Sequence, residues 1–203
     1  AGLGPNSEFP LGTTVETWKA TSQGGKISYL SFTVTVKTYN SPPTLADIAD
    51  VIIDEDTNSE ITLSGIGYGI DCKPQKVIKV DASNNNTALL TVVPEYDGGE
   101  TAKLVIKPLP DQNGEAIITI TVKDNGGIAD GGKDNTVKEF KIVVNPVNDA
   151  PTSTPIPDQT IRMPGTLTLN VGGYFNDPDT GDNLTFSVTK SDHTPLPGWM
   201  TFS

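Results

Sequence analysis

Apolar and polar residues alternate in several short runs of the chain. The alternation is regular from Leu30 to Val36 and from Ala116 to Val122, where Ser, Thr or Ile separates the apolar positions. A period of two predicts β-strands that have one buried and one wetter face. Further strands are predicted from about Thr14 to Ala20 and from about Val137 to Val144, whereas no segment has a convincing helical period.

Turn-forming residues separate these runs. The chain contains 20 Gly and 16 Pro, and four of the glycines directly follow Asp or Asn. Such pairs are typical of tight turns because these residues tolerate left-handed backbone conformations. Short alternating strands with frequent turns predict an all-β chain built of β-sandwiches. The turn signals are Asp97–Gly99, Asp111–Gly114, Asp124–Gly127 and Asp130–Gly132.

The sequence also repeats itself at a fixed offset. When the sequence is aligned with itself so that Phe32 matches Phe140, Asn40 also matches Asn148 without a gap. A repeat of about 100 residues has the length of a sandwich domain and predicts a tandem array. The same register matches Pro43 with Pro151, Ile48 with Ile156, Asp71 with Asp179 and Val80 with Val188.

The repeat sets the expected domain boundaries. We expect the C-terminal part of one sandwich at residues 1–39 and a complete sandwich at residues 40–147. Residues 148–203 are expected to be the N-terminal part of a further sandwich, with another strand beginning in Gly198–Phe202. The first and last domains are thus expected to be incomplete in this chain.

Charge and composition exclude several classes of function. Asp and Glu number 25 against 14 Lys and Arg, and Arg162 is the only arginine, so the basic surface that a nucleic-acid partner requires is absent. No apolar run is long enough for a transmembrane segment. Cys72 is the only cysteine and has no ligand cluster beside it, and His193 is the only histidine and has no nucleophile specified nearby. We therefore expect the chain not to be an enzyme.

Three segments resemble families of extracellular repeat domains. Residues 9–36, FPLGTTVETWKATSQGGKISYLSFTVTV, resemble the C-terminal part of a hyalin repeat. Residues 44–151 resemble the cadherin-like and immunoglobulin-like repeats of very large bacterial surface proteins, through the motifs IDED, VKDNGG and VNDAP. Residues 151–203 are similar to dystroglycan-type cadherin-like domains, through PIPDQTI, FNDPD and LPGWMTFS. The resemblances imply tandem immunoglobulin-like or cadherin-like Greek-key β-sandwiches in an extracellular, cell-surface adhesin.

Acidic residues gather at the expected joint between the second and third domains. A strand from Ala116 to Val122 spans about 23 Å at roughly 3.3 Å per residue, so Asp111 and Asp124 lie at opposite ends of it. The next strand returns antiparallel and brings Asn148 and Asp149 to the end that carries Asp111. Carboxylate and carbonyl oxygens are the ligands that calcium prefers.

The cadherin-like resemblance extends this cluster. In such domains the acids of the first strand, here Asp54 to Asp56, lie at the end of the domain that carries Asp111. Acids from the top of the following domain join them there. The resemblance therefore implies Ca²⁺ as a cofactor, bound by Glu55, Asp111, Asn148, Asp149, Asp177 and Asp179.

Simpler interpretations stand beside this one. Asp and Asn next to Gly or Pro are common turn residues, and an acidic surface keeps an extracellular protein soluble. The linker at the first joint, YNSPP, has Ser41 where the second joint has Asp149. We expect the first joint to rely on its prolines and on packing.

The sequence favours a structural or adhesive stalk segment of a long secreted protein, with calcium stiffening a joint. Its expected partners are the neighbouring repeats of the same polypeptide, and surface glycans or other cell-surface proteins. The alternative is a carbohydrate-binding module of an extracellular polysaccharide-active protein, in which Trp18 and Trp199 would stack on sugar rings. For Trp199, which stands beside Met200 and Phe202, a core position is favoured.

Overall fold

The computed structural model describes residues 8–69, 74–162 and 164–202, and strands dominate it. The all-β class predicted from the alternation is confirmed. Two short 3₁₀ segments occur at Ala129–Gly131 and Gly172–Tyr174, and no helix of the described residues is long and apolar enough to cross a membrane. In chain order the strands are β1 (Gly12–Thr21), β2 (Ile27–Val36), β3 (Val51–Asp54), β4 (Ser59–Ser64), β5 (Val77–Asn84), β6 (Leu90–Glu95), β7 (Thr101–Pro108), β8 (Gly114–Asp124), β9 (Asn135–Asn145), β10 (Thr152–Ser153) and β11 (Phe175–Asn176).

Seven of these strands form a β-sandwich. One sheet has the order β3-β9-β8-β5 and the other has the order β4-β7-β6. Neighbouring strands are antiparallel, except that β3 runs parallel to β9, with Val51 opposite Ile142 and Asp54 opposite Asn145. Consecutive strands distributed over two sheets are typical of immunoglobulin-type sandwiches.

The alternating runs supply the hydrophobic core of this sandwich. Ile118 and Ile120 of β8 and Leu104 and Ile106 of β7 are completely buried, while the residues between them are more exposed. Burial of one such side chain contributes about 1.5–3 kcal/mol. The buried core cluster draws all its members from residues 45–144.

Strand direction gives the sandwich two ends. At the lower pole, β3 and β9 finish and β8 begins, as the pairing of Gly114 with Val144 shows. At the upper pole, β8 finishes and β9 begins, and Asp124 N–H donates to Asp134 O at 3.0 Å. The chain enters at the upper pole and leaves at the lower pole after Asn145. Residues at the two poles therefore face the preceding and the following segments.

β1 and β2 form a separate antiparallel hairpin before the sandwich, where strands are predicted. Their ladder runs from Gly12 opposite Val36 to Thr21 opposite Ile27. Neither strand pairs with any other described strand.

The segment after Pro151 contains only the short strands β10 and β11 among its described residues. Phe175 of β11 packs edge-on against Phe186, with ring centroids 5.5 Å apart. The prediction of a strand beginning in Gly198–Phe202 is wrong, because this stretch contains a turn in which Met200 N–H donates to a carbonyl. A strand requires a neighbouring backbone to pair with, whatever the local sequence pattern.

Candidate metal centre

Glu55 is a carboxylate buried at the lower pole. It follows β3 directly, and the two-residue period places its side chain on the same face as Ile53. Glu55 is only 2% exposed. Val147 N–H donates to its Oε1 at 2.8 Å, but Oε2 is buried without a hydrogen-bond partner. Such an oxygen is costly to bury unless a cation or a donor compensates it.

Two tight turns bring further acids to the lower pole. Asp56 lies in the turn after β3 and Asp111 in the turn between β7 and β8, and their φ angles are 60° and 55°. Aspartate is enriched in this left-handed region among residues other than glycine. Asp111 N–H donates to Asp56 Oδ1 at 3.3 Å, so the two turns lie against each other.

The linker and the segment after it contribute the remaining acids. Asp149 N–H donates to Asp179 Oδ2 at 2.7 Å, and Asp179 N–H donates to Asp177 Oδ1 at 3.0 Å. Asp149, Asp177 and Asp179 are half-buried. The cluster thus contains acids from the sandwich, from the linker and from the following segment.

These acids form three overlapping groups. Within each group, one carboxylate oxygen per residue lies within 4.8 Å of the others. Calcium–oxygen distances are about 2.3–2.6 Å, so two oxygens on one ion are at most about 5 Å apart. The spacing is therefore that of ligands able to share a cation. The groups are Glu55 with Asp149 and Asp179, Asp56 with Asp111 and Asp149, and Asp177 with Asp179 and Asp182.

The structure brings together most of the residues predicted as calcium ligands. Asn148 lies beside them on the linker, where its Nδ2 donates to Asp149 O at 3.0 Å. Asp56 and Asp182 are present in the groups although they are not among the predicted ligands. The sequence could have indicated both residues, because Asp56 lies in IDED and Asp182 in DPDTGD, two acidic runs that supply other members of the cluster. The predicted ligands within the groups are Glu55, Asp111, Asp149, Asp177 and Asp179.

No lysine or arginine of the described residues forms an ion pair with this cluster. Burial, followed by the negative charges of Asp56, Asp111, Asp179 and Glu55, raises the pKa of the Asp149 carboxyl above its usual value of 3.8. Asp149 Oδ2 is also buried without a hydrogen-bond partner. The ionised cluster therefore opposes folding until a positive charge binds.

This pKa shift predicts a pH dependence in metal-free buffer. Because the folded pKa of Asp149 lies above the unfolded one, its ionisation destabilises the fold at pH values above the folded pKa, and acidification through that pKa relieves the effect. As the pH is lowered from about 7 to about 4, the free energy of unfolding of the wild type should rise relative to that of Asp149→Asn. Urea denaturation of both proteins measures the difference; a difference that is independent of pH would contradict the expectation.

The other described residues singled out in the sequence lie outside this cluster. His193 has a φ of 60° and its N–H donates to Lys190 O at 2.9 Å, as in a surface turn. The core position favoured for Trp199 is wrong, because this side chain is 82% exposed, and the described residues of its segment form only the two-stranded sheet of β10 and β11. Trp18 on β1 is exposed as well. Asp71 and Cys72 lie outside the described residues.

Comparison with known proteins identifies no family. No protein-family model matches the sequence, and no curated protein matches it. Domains 4 and 5 of the S-layer protein SbsC are similar in structure, at 15% identity and a TM-score of 0.34, over 65% of this chain and 70% of that one. Domains 1–6 of the surface layer protein SbsC match at 15% identity and a TM-score of 0.33, over 70% of this chain and 21% of that one.

A third similar structure is an endo-fucoidan hydrolase from glycoside hydrolase family 107. It shares 16% identity, with a TM-score of 0.35, over 71% of this chain and 21% of that one. The chain thus spans only about a fifth of two of these three proteins. Scores this low assign neither a family nor a function.

Proposed function

We propose that the chain is a non-catalytic, load-bearing segment of a secreted cell-surface protein with many domains. Residues 40–147 form one sandwich of a tandem array, between a preceding unit at 1–39 and a following unit at 148–203. Calcium binds at the lower pole and stiffens the joint to the following unit. The neighbouring repeats are the main partners of each sandwich.

The observation that carries this proposal is the convergence of Glu55, Asp149 and Asp179. One carboxylate comes from inside the sandwich, one from the linker and one from the segment after it, and their oxygens lie within 4.8 Å of one another. A cation bound by all three would restrict the motion of the following segment relative to the sandwich. The buried, unpartnered Oε2 of Glu55 supports a bound cation rather than a solvated acidic surface.

Calcium suits this donor set better than other common cations. It takes six to eight oxygen ligands in flexible geometry, whereas magnesium demands near-ideal octahedral geometry and usually keeps several waters. When bound, calcium neutralises the carboxylates that otherwise repel one another. The residues that would hold it are Glu55, Asp111, Asp149, Asp177 and Asp179, together with Asp56 and Asp182.

Distance measurements across the second joint test the proposal. In a Cys72→Ser background, spin labels at Thr91→Cys and Ser191→Cys report the sandwich and the following segment, and both native positions are exposed. We expect a narrow distance distribution in calcium and a broad one in chelator, because removing the ion restores repulsion across the joint. Magnesium at the same concentration serves as the control for ionic strength.

Asp149→Asn provides the matched variant, because it retains the backbone N–H that donates to Asp179 and removes one charge. Its distribution should respond only weakly to calcium. Calorimetric titration of the wild type should show saturable calcium binding. Identical distributions in calcium and chelator, or no binding heat above that of magnesium, would remove calcium from the proposal.

Carbohydrate recognition is the second candidate function. Trp18 and Trp199 are 61% and 82% exposed, and stacking on sugar rings requires accessible aromatic faces. The two tryptophans lie in different segments, however, and the ring contact found among the described residues joins Phe175 and Phe186. This candidate therefore ranks below the load-bearing role.

A further inference from the structure

We infer that the first joint, between β2 and the sandwich, is a metal-independent lock in which the side-chain amide of Asn40 fixes the linker to the upper pole. The lock itself does not depend on the proposed function. The contrast drawn below between the two joints does rest on the proposed calcium site at the lower pole.

Asn40 makes hydrogen bonds to several parts of the upper pole. It lies in the linker after β2 and is 6% exposed. Its Nδ2 is 2.8 Å from Asp124 Oδ1, 3.1 Å from Gly127 O and 2.7 Å from Lys133 O. Lys133 N–H donates to Asn40 O at 2.9 Å, so the backbone and the side chain of one residue both bind the loop between β8 and β9.

The loop between β8 and β9 is shaped around this asparagine. A side chain at Gly126 would overlap the carboxamide of Asn40, and a Cβ at Gly132 would lie 2.9 Å from Asn40 N. Glycine at both positions lets the loop close over the residue. The sequence pattern attributes the glycines of this loop to turns alone, but Gly126 and Gly132 also make room for the linker.

Further contacts hold the same linker. Thr136 Oγ1 donates to Pro43 O at 2.5 Å, and Pro43 is almost completely buried. Lys37 and Asp130 form an exposed ion pair, which contributes little because solvent screens it. The expectation that prolines and packing hold the first joint therefore omits its main polar contact, which is made by Asn40.

The two poles compensate a buried carboxylate in different ways. Asp124 is 1% exposed, and its Oδ1 accepts from Asn40 Nδ2 and from Gly126 N–H, both at 2.8 Å. Glu55 at the lower pole accepts from Val147 N–H and also has the carboxylates of Asp149 and Asp179 beside it. Among the described residues, the groups of three acids all lie at the lower pole and the segment that follows it. At the first joint, the N–H end of an amide dipole thus faces the buried carboxylate. At the second joint, a cation would take that role.

A cation at the upper pole is the competing arrangement, because Asp124 Oδ2 and Asn40 Oδ1 are buried without hydrogen-bond partners. The two arrangements differ in their response to chelation. With an amide lock, removal of calcium loosens only the joint at Asp149. With a cation site, it loosens the joint at Asn40 as well.

Spin labels at Lys26→Cys in the hairpin and Thr91→Cys in the sandwich, with Cys72→Ser, test the lock in the full chain. We expect a narrow distance distribution that is the same in calcium and in chelator. Asn40→Ala should broaden it in both conditions. Asn148→Ala is the matched control, since this residue occupies the equivalent position in the repeat and donates only to the neighbouring Asp149 O among the described contacts, and it should leave the distribution unchanged.

Two results would overturn the inference. Broadening of the wild-type distribution in chelator would show a cation-held joint, and an unchanged distribution in Asn40→Ala would show that the amide does not hold it. If Asn40→Ala unfolds the sandwich, as circular dichroism would reveal, Asn40→Ser takes its place. It removes Nδ2 and its contacts with the loop but leaves one hydroxyl donor beside the buried Asp124, and it must broaden the distribution of the folded chain if the amide holds the joint. The Thr91 and Ser191 label pair reports the second joint separately, so failure of the calcium proposal leaves this result interpretable.

Discussion

Glu55→Gln is expected to abolish the stabilisation of the chain by calcium. For a ligand that binds only the folded state, a concentration of about one hundred times its dissociation constant adds about 2.7 kcal/mol to the free energy of unfolding. Glu55, like Asp149, supplies a buried unpartnered oxygen to the cluster, and an amide is a much weaker calcium ligand than a carboxylate. Urea denaturation of wild type and variant, each in calcium and in chelator, gives the four free energies required.

The same substitution should have the opposite effect without metal. Glutamine keeps an oxygen that can accept from Val147 N–H, and it removes a negative charge from beside Asp149 and Asp179. In chelator the variant is therefore expected to be at least as stable as the wild type. Glu95→Gln, an exposed acid paired with Lys103 on β7, is the control and should retain the calcium response. Equal stabilisation of wild type and Glu55→Gln by calcium would place the ion elsewhere.

Leu104→Ala is expected to destabilise the sandwich by about 2–5 kcal/mol, the range for removing a large buried aliphatic side chain. Leu104 is completely buried in β7, the central strand of its sheet. Its removal leaves a cavity between the sheets that the flanking strands can only partly fill. Thermal or urea unfolding measures the change.

Val93→Ala is the matched control for the core substitution. Val93 pairs with Val105 in the same sheet but is 49% exposed, so its loss should cost much less. Neither substitution touches the lower pole, and calcium affinity of the folded protein should be unchanged in both. Similar destabilisation by the two variants would mean that the space between the sheets is not the core.

The strands of the sandwich are predictable because apolar residues alternate with polar ones in the sequence, with the period of two that a half-buried strand requires. The run from Ala116 to Val122 alternates in sequence and alternates in the structure, and the antiparallel return of β9 puts Asp111 and Asp149 at one pole. Chain direction alone is sufficient for that step. It requires no knowledge of side-chain positions.

What sequence reasoning omits depends on how loops fold. Asp56 joins the cluster because a left-handed turn directs the chain towards Asp111, and Asn40 is buried because a glycine loop closes over it. Neither event follows from periodicity. The strand expected in Gly198–Phe202 is absent for a related reason, since a ladder needs a neighbour as well as a pattern.

The parallel alignment of β3 with β9 has a mechanical consequence. The chain enters the sandwich through the first of these strands and leaves it through the second, and four residue pairs from Val51 and Ile142 to Asp54 and Asn145 lie side by side. Tension along the polypeptide pulls the two strands in opposite directions, so all four pairs are sheared at the same time. An antiparallel pair pulled from its open end would peel apart one pair after another. The topology thus makes the paired strands β3 and β9 the part of the sandwich that would resist tension along the chain.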